Sequence, residues 1–275
     1  MRAVAPRLSF VEESNALVDL TGLEDSAKQS VGVGDALTLD ERRATQNIIS
    51  LVRRLRRKDR DAPLVRYALA EGRGDGYVLT MHDFFRLLSR KWLNDTLIDA
   101  YLTLLRGRGG AVCFLYTYVW SLLGMVETFE PVRRERMFGR FFDDAKYTHY
   151  FVPVLIGGNH WVSLILDTRS AVAHVYDPLR ANAVSRMEHF SDRVGVMMDL
   201  HEKRYDARRR HGVVMRSLSR LPKQTNQVDC GVFSLALANA LYHAGSCETL
   251  RLGTQIERYG RRKLASQLRN CRVDA

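Results

Sequence analysis

A cysteine that opens an apolar helix six residues after a side-chain amide carries the ingredients of nucleophilic attack on a carbonyl. The segment Gln224-Thr225-Asn226-Gln227-Val228-Asp229-Cys230-Gly231 has that arrangement. The residues after Cys230 run Gly-Val-Phe-Ser-Leu-Ala-Leu-Ala-Asn-Ala-Leu-Tyr, apolar on almost every face, the pattern of a helix at the centre of a domain. A thiol at the start of such a helix meets the positive end of the dipole, which favours the thiolate, the nucleophilic form. A nucleophile of this kind needs a base, and the base needs a third group to fix its tautomer and offset its charge. His160, followed by Trp161, and Asp177 are the candidates. If the turn between the two central strands is centred near Arg169, antiparallel pairing sets His160 beside Asp177 or Pro178. His174 could serve only if the register slipped by several residues. Attack also creates an oxyanion that preorganised donors must meet. The Gln224 side chain and the Cys230 backbone N–H suit that task, with Gln227 a weaker competitor and Asp229 read as structural. Each residue also has a plainer reading: a histidine ending a strand, an aspartate in a turn, a glutamine on a surface loop.

Composition bounds the rest. With 275 residues and 46% hydrophobic content, the chain can bury one sizeable core, and wholesale disorder is excluded. The opening residues hold no unbroken apolar run, so neither a secretory signal nor a membrane span is expected, and residence inside a cell follows as the expectation. The four cysteines, at 113, 230, 247 and 271, show no C-x-x-C pair and no metal-ligand spacing, against both a disulfide framework and a zinc site. The formal charge of +11 is clustered in Arg53 to Lys58, in Arg204 to Arg210, and in Arg258, Arg261, Arg262 and Lys263. These runs read first as solvated faces, then as weak polyanion contacts, with the first also suggesting nuclear residence.

The elements that must position the site follow from periodicity. Residues 1–37 show no sustained period and read as a flexible arm. Thr38-Leu39-Asp40-Glu41 has capping-box form and precedes helical spacing of Ile48, Ile49, Val52 and Leu55, which stops at Asp59 to Pro63. Tyr77 to Leu79 reads as a strand, Thr80 opens a helix, and a second helix is expected through Trp92 to Leu105. Three strands, 150–156, 160–166 and 172–176, alternate with turns and predict an antiparallel sheet. A helical pattern over 185–201, a strand at 213–218, the cysteine helix and a final helix opened by Thr254-x-x-Glu257 complete an α+β pattern.

The order His160, Asp177, Gln224, Cys230, in the contexts His-Trp, Asp-Pro-Leu and Gln-x-x-x-x-Asp-Cys-Gly, resembles the ubiquitin-like-protein-specific cysteine proteases, the SUMO-deconjugating peptidases related to the adenovirus protease. Lys91-Trp92-Leu93-Asn94-Asp95-Thr96-Leu97-Ile98 adds a block specific to that family. The resemblance runs from about residue 77 to the C-terminus, within a catalytic domain expected over 38–275. It implies a cysteine-protease fold with a central mixed, mainly antiparallel sheet flanked by helices. It also implies His160 as base, Asp177 as orienting acid, Cys230 as nucleophile and Gln224 as oxyanion donor. Trp92 and Trp161 would roof a tunnel that admits the diglycine tail of a modifier, and Asp95 would meet a basic side chain on it. No cofactor is implied. The expected partner is SUMO or another ubiquitin-like modifier with its conjugates, met by a monomer. Two departures bear on the choice of modifier: Pro178 follows Asp177 where serine is common, and 180–211 has no close counterpart. An acetyl-transferring effector of related fold, a viral precursor-processing protease, and a module that only binds modifiers or nucleic acid are the competing readings.

Overall fold

The computed structural model describes residues 37, 39–54, 63–67, 77–106, 110–139, 141–142, 147–180, 183–202, 212–253 and 255–270. The basic runs at 55–58 and 204–210, the caps Thr38 and Thr254, and all of the expected arm except Leu37 lie outside these residues.

Five strands form the central sheet in the spatial order β3 (Val112–Phe114), β4 (His149–Ile156), β5 (His160–Asp167), β6 (Val172–Tyr176) and β7 (Val214–Ser217). The two inner pairings are antiparallel hairpins, and the two outer ones, β3 with β4 and β6 with β7, are parallel. Parallel neighbours need a crossover. Two short helices, α4 (Thr117–Leu123) and α5 (Pro131–Phe138), make the first; a long helix, α6 (Ala183–His201), makes the second. The sheet is mixed and the class is α+β, as the resemblance implied; the three central strands pair antiparallel as the periodicity predicts, and the parallel edges lie outside them.

β5 divides two layers of core. Its period-2 alternation sends Trp161 and Ile165 to one face and Val162, Leu164 and Leu166 to the other, all of them buried. The first face meets α7 (Cys230–Ala244), which packs between the sheet, α3 (Asp95–Arg106) and α8 (Ile256–Asn270). Because α7 is covered on almost every side, its apolar sequence needs no polar stripe. The second face is closed by α4 and α6, with Trp120 edge-on to Phe190 at 5.3 Å between ring centroids.

Several elements depart from expectation. A strand β1 (Pro63–Tyr67) pairs antiparallel with β2 (Tyr77–Thr80), whereas Pro63 reads in sequence as an end point. Proline at the first residue of a strand loses no ladder hydrogen bond that an interior position would require, so the ribbon tolerates it. Thr80 does cap α2 (Met81–Leu88), in a reciprocal box with Asp83. The helix expected from Trp92 starts only at Asp95, because the Asn94 side chain accepts the Leu97 N–H at 3.1 Å and caps α3 there.

Candidate active site

Residues far apart in sequence meet at one end of β5. The β4–β5 hairpin turns on Gly157 and Gly158, both at positive φ (59° and 76°), and the strand resumes at once with His160. On its other side β5 pairs with β6 through Ser163 opposite Tyr176, one residue from the register expected of a turn at Arg169. Asp177 follows the last strand residue, and its Oδ1 lies 2.8 Å from His160 Nε2. That carboxylate is held in turn by the Leu179 N–H at 3.0 Å. Nδ1, the other ring nitrogen of His160, is buried with no hydrogen-bond partner among the described residues. Cys230, the first residue of α7, stands close by, its Sγ 4.0 Å from the Asn159 carbonyl oxygen. Burial by itself lowers the imidazole pKa, but the hydrogen bond to Asp177 and the neighbouring Cys230 outweigh it, raising the value to about 9.

The loop before α7 is pinned along the turn that carries Asp177. The Gln224 N–H donates to the Pro178 carbonyl at 3.0 Å, the Tyr176 hydroxyl reaches the Pro222 carbonyl at 2.6 Å, and Arg180 donates to Ser219 and Leu221 carbonyls. Gln224 is thereby sealed in, 1% exposed. Its Nε2 donates to the Asn226 carbonyl at 2.6 Å, and its Oε1 has no partner among the described residues. Gln227, the competing amide, is exposed, and its carbonyl accepts the Trp92 indole N–H at 2.8 Å.

The two tryptophans flank this corner differently. Trp92, 44% exposed, stands on the loop before α3; Trp161 is buried, its indole N–H on the Leu93 carbonyl at 2.8 Å. Gly231 explains the closeness of α7 to Leu93 and Trp161: a Cβ there would sit 3.0 Å from Leu93 Cβ and 3.1 Å from Trp161 Cδ1. Asp95 is exposed at the start of α3, and Asn94 donates to Asp83 at 2.9 Å, tying the Trp92 loop to α2. The other candidates lie elsewhere. His174 sits in β6 opposite Ile165, Cys113 donates to the Phe141 carbonyl, and Cys247 is buried with its thiol pushed up to about 12 by that burial.

Two residues here escaped sequence reading. Arg261, counted above among solvated cations, is 7% exposed. Its Nε donates to Asp229 at 2.6 Å, and its two Nη groups reach the Val228, Lys91, Leu87 and Arg86 carbonyls. Four arginines or lysines within six positions look like surface; only the three-dimensional path of α8 past the Cys230 loop turns one of them inward. Glu257, read as a capping residue, instead accepts the Thr225 backbone N–H and hydroxyl.

Comparison with known proteins places this geometry in a lineage. A search among curated proteins finds no match. Solved structures share the fold. The SUMO protease Ulp1 with its catalytic cysteine oxidised to a sulfenic acid has a TM-score of 0.63 at 17% identity, covering 86% of this chain and 97% of its own. The C-terminal Ulp1 protease domain in complex with Smt3, the yeast orthologue of SUMO, gives 0.61 at 18%, covering 88% and 98%. The Chaetomium thermophilum Ulp1-like SUMO protease catalytic domain gives 0.62 at 16%, covering 88% and 93%. The model of the Ulp1 protease family, C-terminal catalytic domain, matches residues 126–272, more than half of the 275 residues and every part of the His160, Asp177, Gln224 and Cys230 cluster. On that match the chain belongs to the Ulp1 protease family, a family of cysteine proteases, and holds its catalytic domain.

Proposed function

We propose that this protein is a cysteine isopeptidase and endopeptidase that cleaves after the C-terminal Gly-Gly of a ubiquitin-like modifier, with SUMO favoured. The observation that carries the reading is the His160 imidazole held by Asp177 on one nitrogen, free on the other, beside a thiol at the start of a buried helix.

In this mechanism Nδ1 of His160 holds the proton given up by Cys230, so that Sγ attacks the carbonyl carbon of the terminal glycine as a thiolate, and Asp177 accepts the Nε2–H and offsets the imidazolium charge. The oxyanion is met by the Cys230 backbone N–H and by the second N–H of Gln224, the one not bound to Asn226. The departing amine takes the proton from His160, leaving an acyl-enzyme thioester. Water, deprotonated by the same imidazole, then releases the modifier. The approach of α7 to Leu93 and Trp161 at Gly231 supports a cleft whose floor accepts backbone and little more, which suits two glycines. Asp95, exposed beside Trp92, suits a basic side chain on the folded modifier. Preference for SUMO is supported by the Ulp1 structures, described as SUMO protease and as a complex with Smt3.

The test is a panel of modifier probes carrying a C-terminal vinyl sulfone. A covalent adduct with the SUMO probe that Cys230→Ala abolishes is the expected result. With a SUMO-linked fluorogenic substrate, Gln224→Ala is expected to lower kcat by about 10²–10³ with little change in KM. An adduct that survives Cys230→Ala would remove the nucleophile, and reaction with ubiquitin but not SUMO would overturn the modifier.

A further inference from the structure

The Gln224 amide faces an orientation problem. Rotation by half a turn exchanges its donor for its acceptor, and a carbonyl oxygen aimed at a developing oxyanion would repel it. Packing cannot tell the two orientations apart, since oxygen and nitrogen are nearly the same size; a hydrogen bond must. Among the described residues the side chain has one, from Nε2 to the Asn226 carbonyl at 2.6 Å, while Oε1 has none. The correct face of Gln224 therefore depends on where the Asn226 backbone is held.

Asn226 is held by its own side chain. Oδ1 accepts the Val228 and Asp229 N–H groups at 2.9 and 3.0 Å, folding the loop into a tight turn. Nδ2 donates to Asp229 Oδ2 at 2.7 Å. The other oxygen of Asp229 accepts Arg261 Nε at 2.6 Å. Asp229 occupies the residue before α7 yet makes no side-chain cap to that helix, because both its oxygens are turned to Asn226 and Arg261. Arg261 is saturated: its five N–H donors face Asp229 and the carbonyls of Val228, Lys91, Leu87 and Arg86. Two of those carbonyls end α2, where a cation meets the negative end of the helix dipole, and Lys91 immediately precedes Trp92.

Resting on the reading of Gln224 as oxyanion donor, we infer that Arg261, Asp229 and Asn226 form a positioning relay by which the last helix sets the orientation of the Gln224 amide, and by which the same guanidinium locks the Trp92 loop to the nucleophile loop. None of the three touches substrate; they act through Gln224. The relay predicts a transition-state effect, since the ground-state cleft is left intact when only the amide swings. A lysine in place of Arg261 supplies three donors on a point charge and cannot span five acceptors spread over two loops and the end of α2.

The experiment compares wild type, Asn226→Ala, Arg261→Lys, Gln224→Ala and the double variant Asn226→Ala/Gln224→Ala on a SUMO-linked fluorogenic substrate. Every rate is divided by the active sites titrated with the SUMO vinyl sulfone, so that partial unfolding, which removes sites, is separated from mispositioning, which slows them. Asn226 is half-buried, so its truncation spares the core. Asn226→Ala is expected to lower kcat per site by about tenfold or more, short of the about 10²–10³ for loss of the donor itself, with KM little changed. Arg261→Lys is expected to lower kcat per site and also to raise KM through the Trp92 loop. In the Gln224→Ala background Asn226→Ala is expected to cost almost nothing further, because residues acting as a unit are not additive. Wild-type kcat per site in Asn226→Ala, or a fully additive loss in the double variant, would overturn the relay. A wild-type protein that fails to react with any probe would instead overturn the proposed function.

Discussion

At the scale of the residue, the proposed mechanism makes His160 the group that sets the pH range. Its pKa is raised to about 9, against an ordinary 6.5, by Asp177 and Cys230 working against burial. A raised folded pKa stabilises the fold fully below the unfolded value and progressively less as pH climbs through the folded one. The protonated imidazole is also the species that delivers a proton to the leaving amine. On the second ground we expect kcat/KM to fall as pH rises through about 9. Asp177→Asn, which removes the negative charge at 2.8 Å, is expected to move that alkaline limb towards 6.5. A pH–rate profile whose limb stays in place in Asp177→Asn would assign it to another group. The pair was legible in sequence because hairpin pairing is arithmetic: a turn near Arg169 leaves few positions for the partner of residue 160. Arg261 was not, since its burial follows from how α8 crosses the Cys230 loop, and no local pattern encodes a contact 32 residues away.

At the scale of the element, the Trp-Leu-Asn-Asp block shows how one short segment serves several ends. Trp92 binds the Gln227 carbonyl, the Leu93 carbonyl receives Trp161, and Asn94 caps α3 while gripping Asp83. Asn94→Ala is expected to cost about 1 kcal/mol in chemical denaturation, the usual loss for a side-chain N-cap. It should also raise KM, because the loop bearing Trp92 loses its tie to α2. A denaturation midpoint equal to wild type would show that water replaces the cap at no cost. Long periodic elements, such as β4 to β6, α7 and α8, were legible within a residue or two. The pieces that were missed, β1, β3, α4 and α5, are short, spanning three to eight residues. Their structure comes from the core that they cover, as with Pro131 entering α5 at its first turn and Phe138 filling the space beneath.

At the scale of the whole molecule, one sheet separates a catalytic layer from a supporting one. Cys230 and its helix lie on the Trp161 side, and the Leu164 side is a core of its own, closed by α4 and α6. Leu164→Ala, at a fully buried position, is expected to cost about 2–5 kcal/mol in denaturant unfolding while leaving turnover per titrated site near wild type. A large fall in turnover per site would mean that strain crosses the sheet to the imidazole. The α+β class was readable from alternating blocks of strand and helix. The parallel edges were not, because β3 and β7 pair with strands remote in sequence, and such pairings leave no mark in local spacing.

The two ends of β5 are unequal in what they tolerate. The Gly157-Gly158-Asn159 bend abuts the sulfur of Cys230, whereas the bend at Arg169 and Ser170 is exposed and held by Asp167. Eight residues of strand separate them, about 25 Å at roughly 3.3 Å each. An epitope or surface tether grafted at Arg169 would thus anchor the protease with its mouth turned outward, while the same graft at Gly158 would plug it.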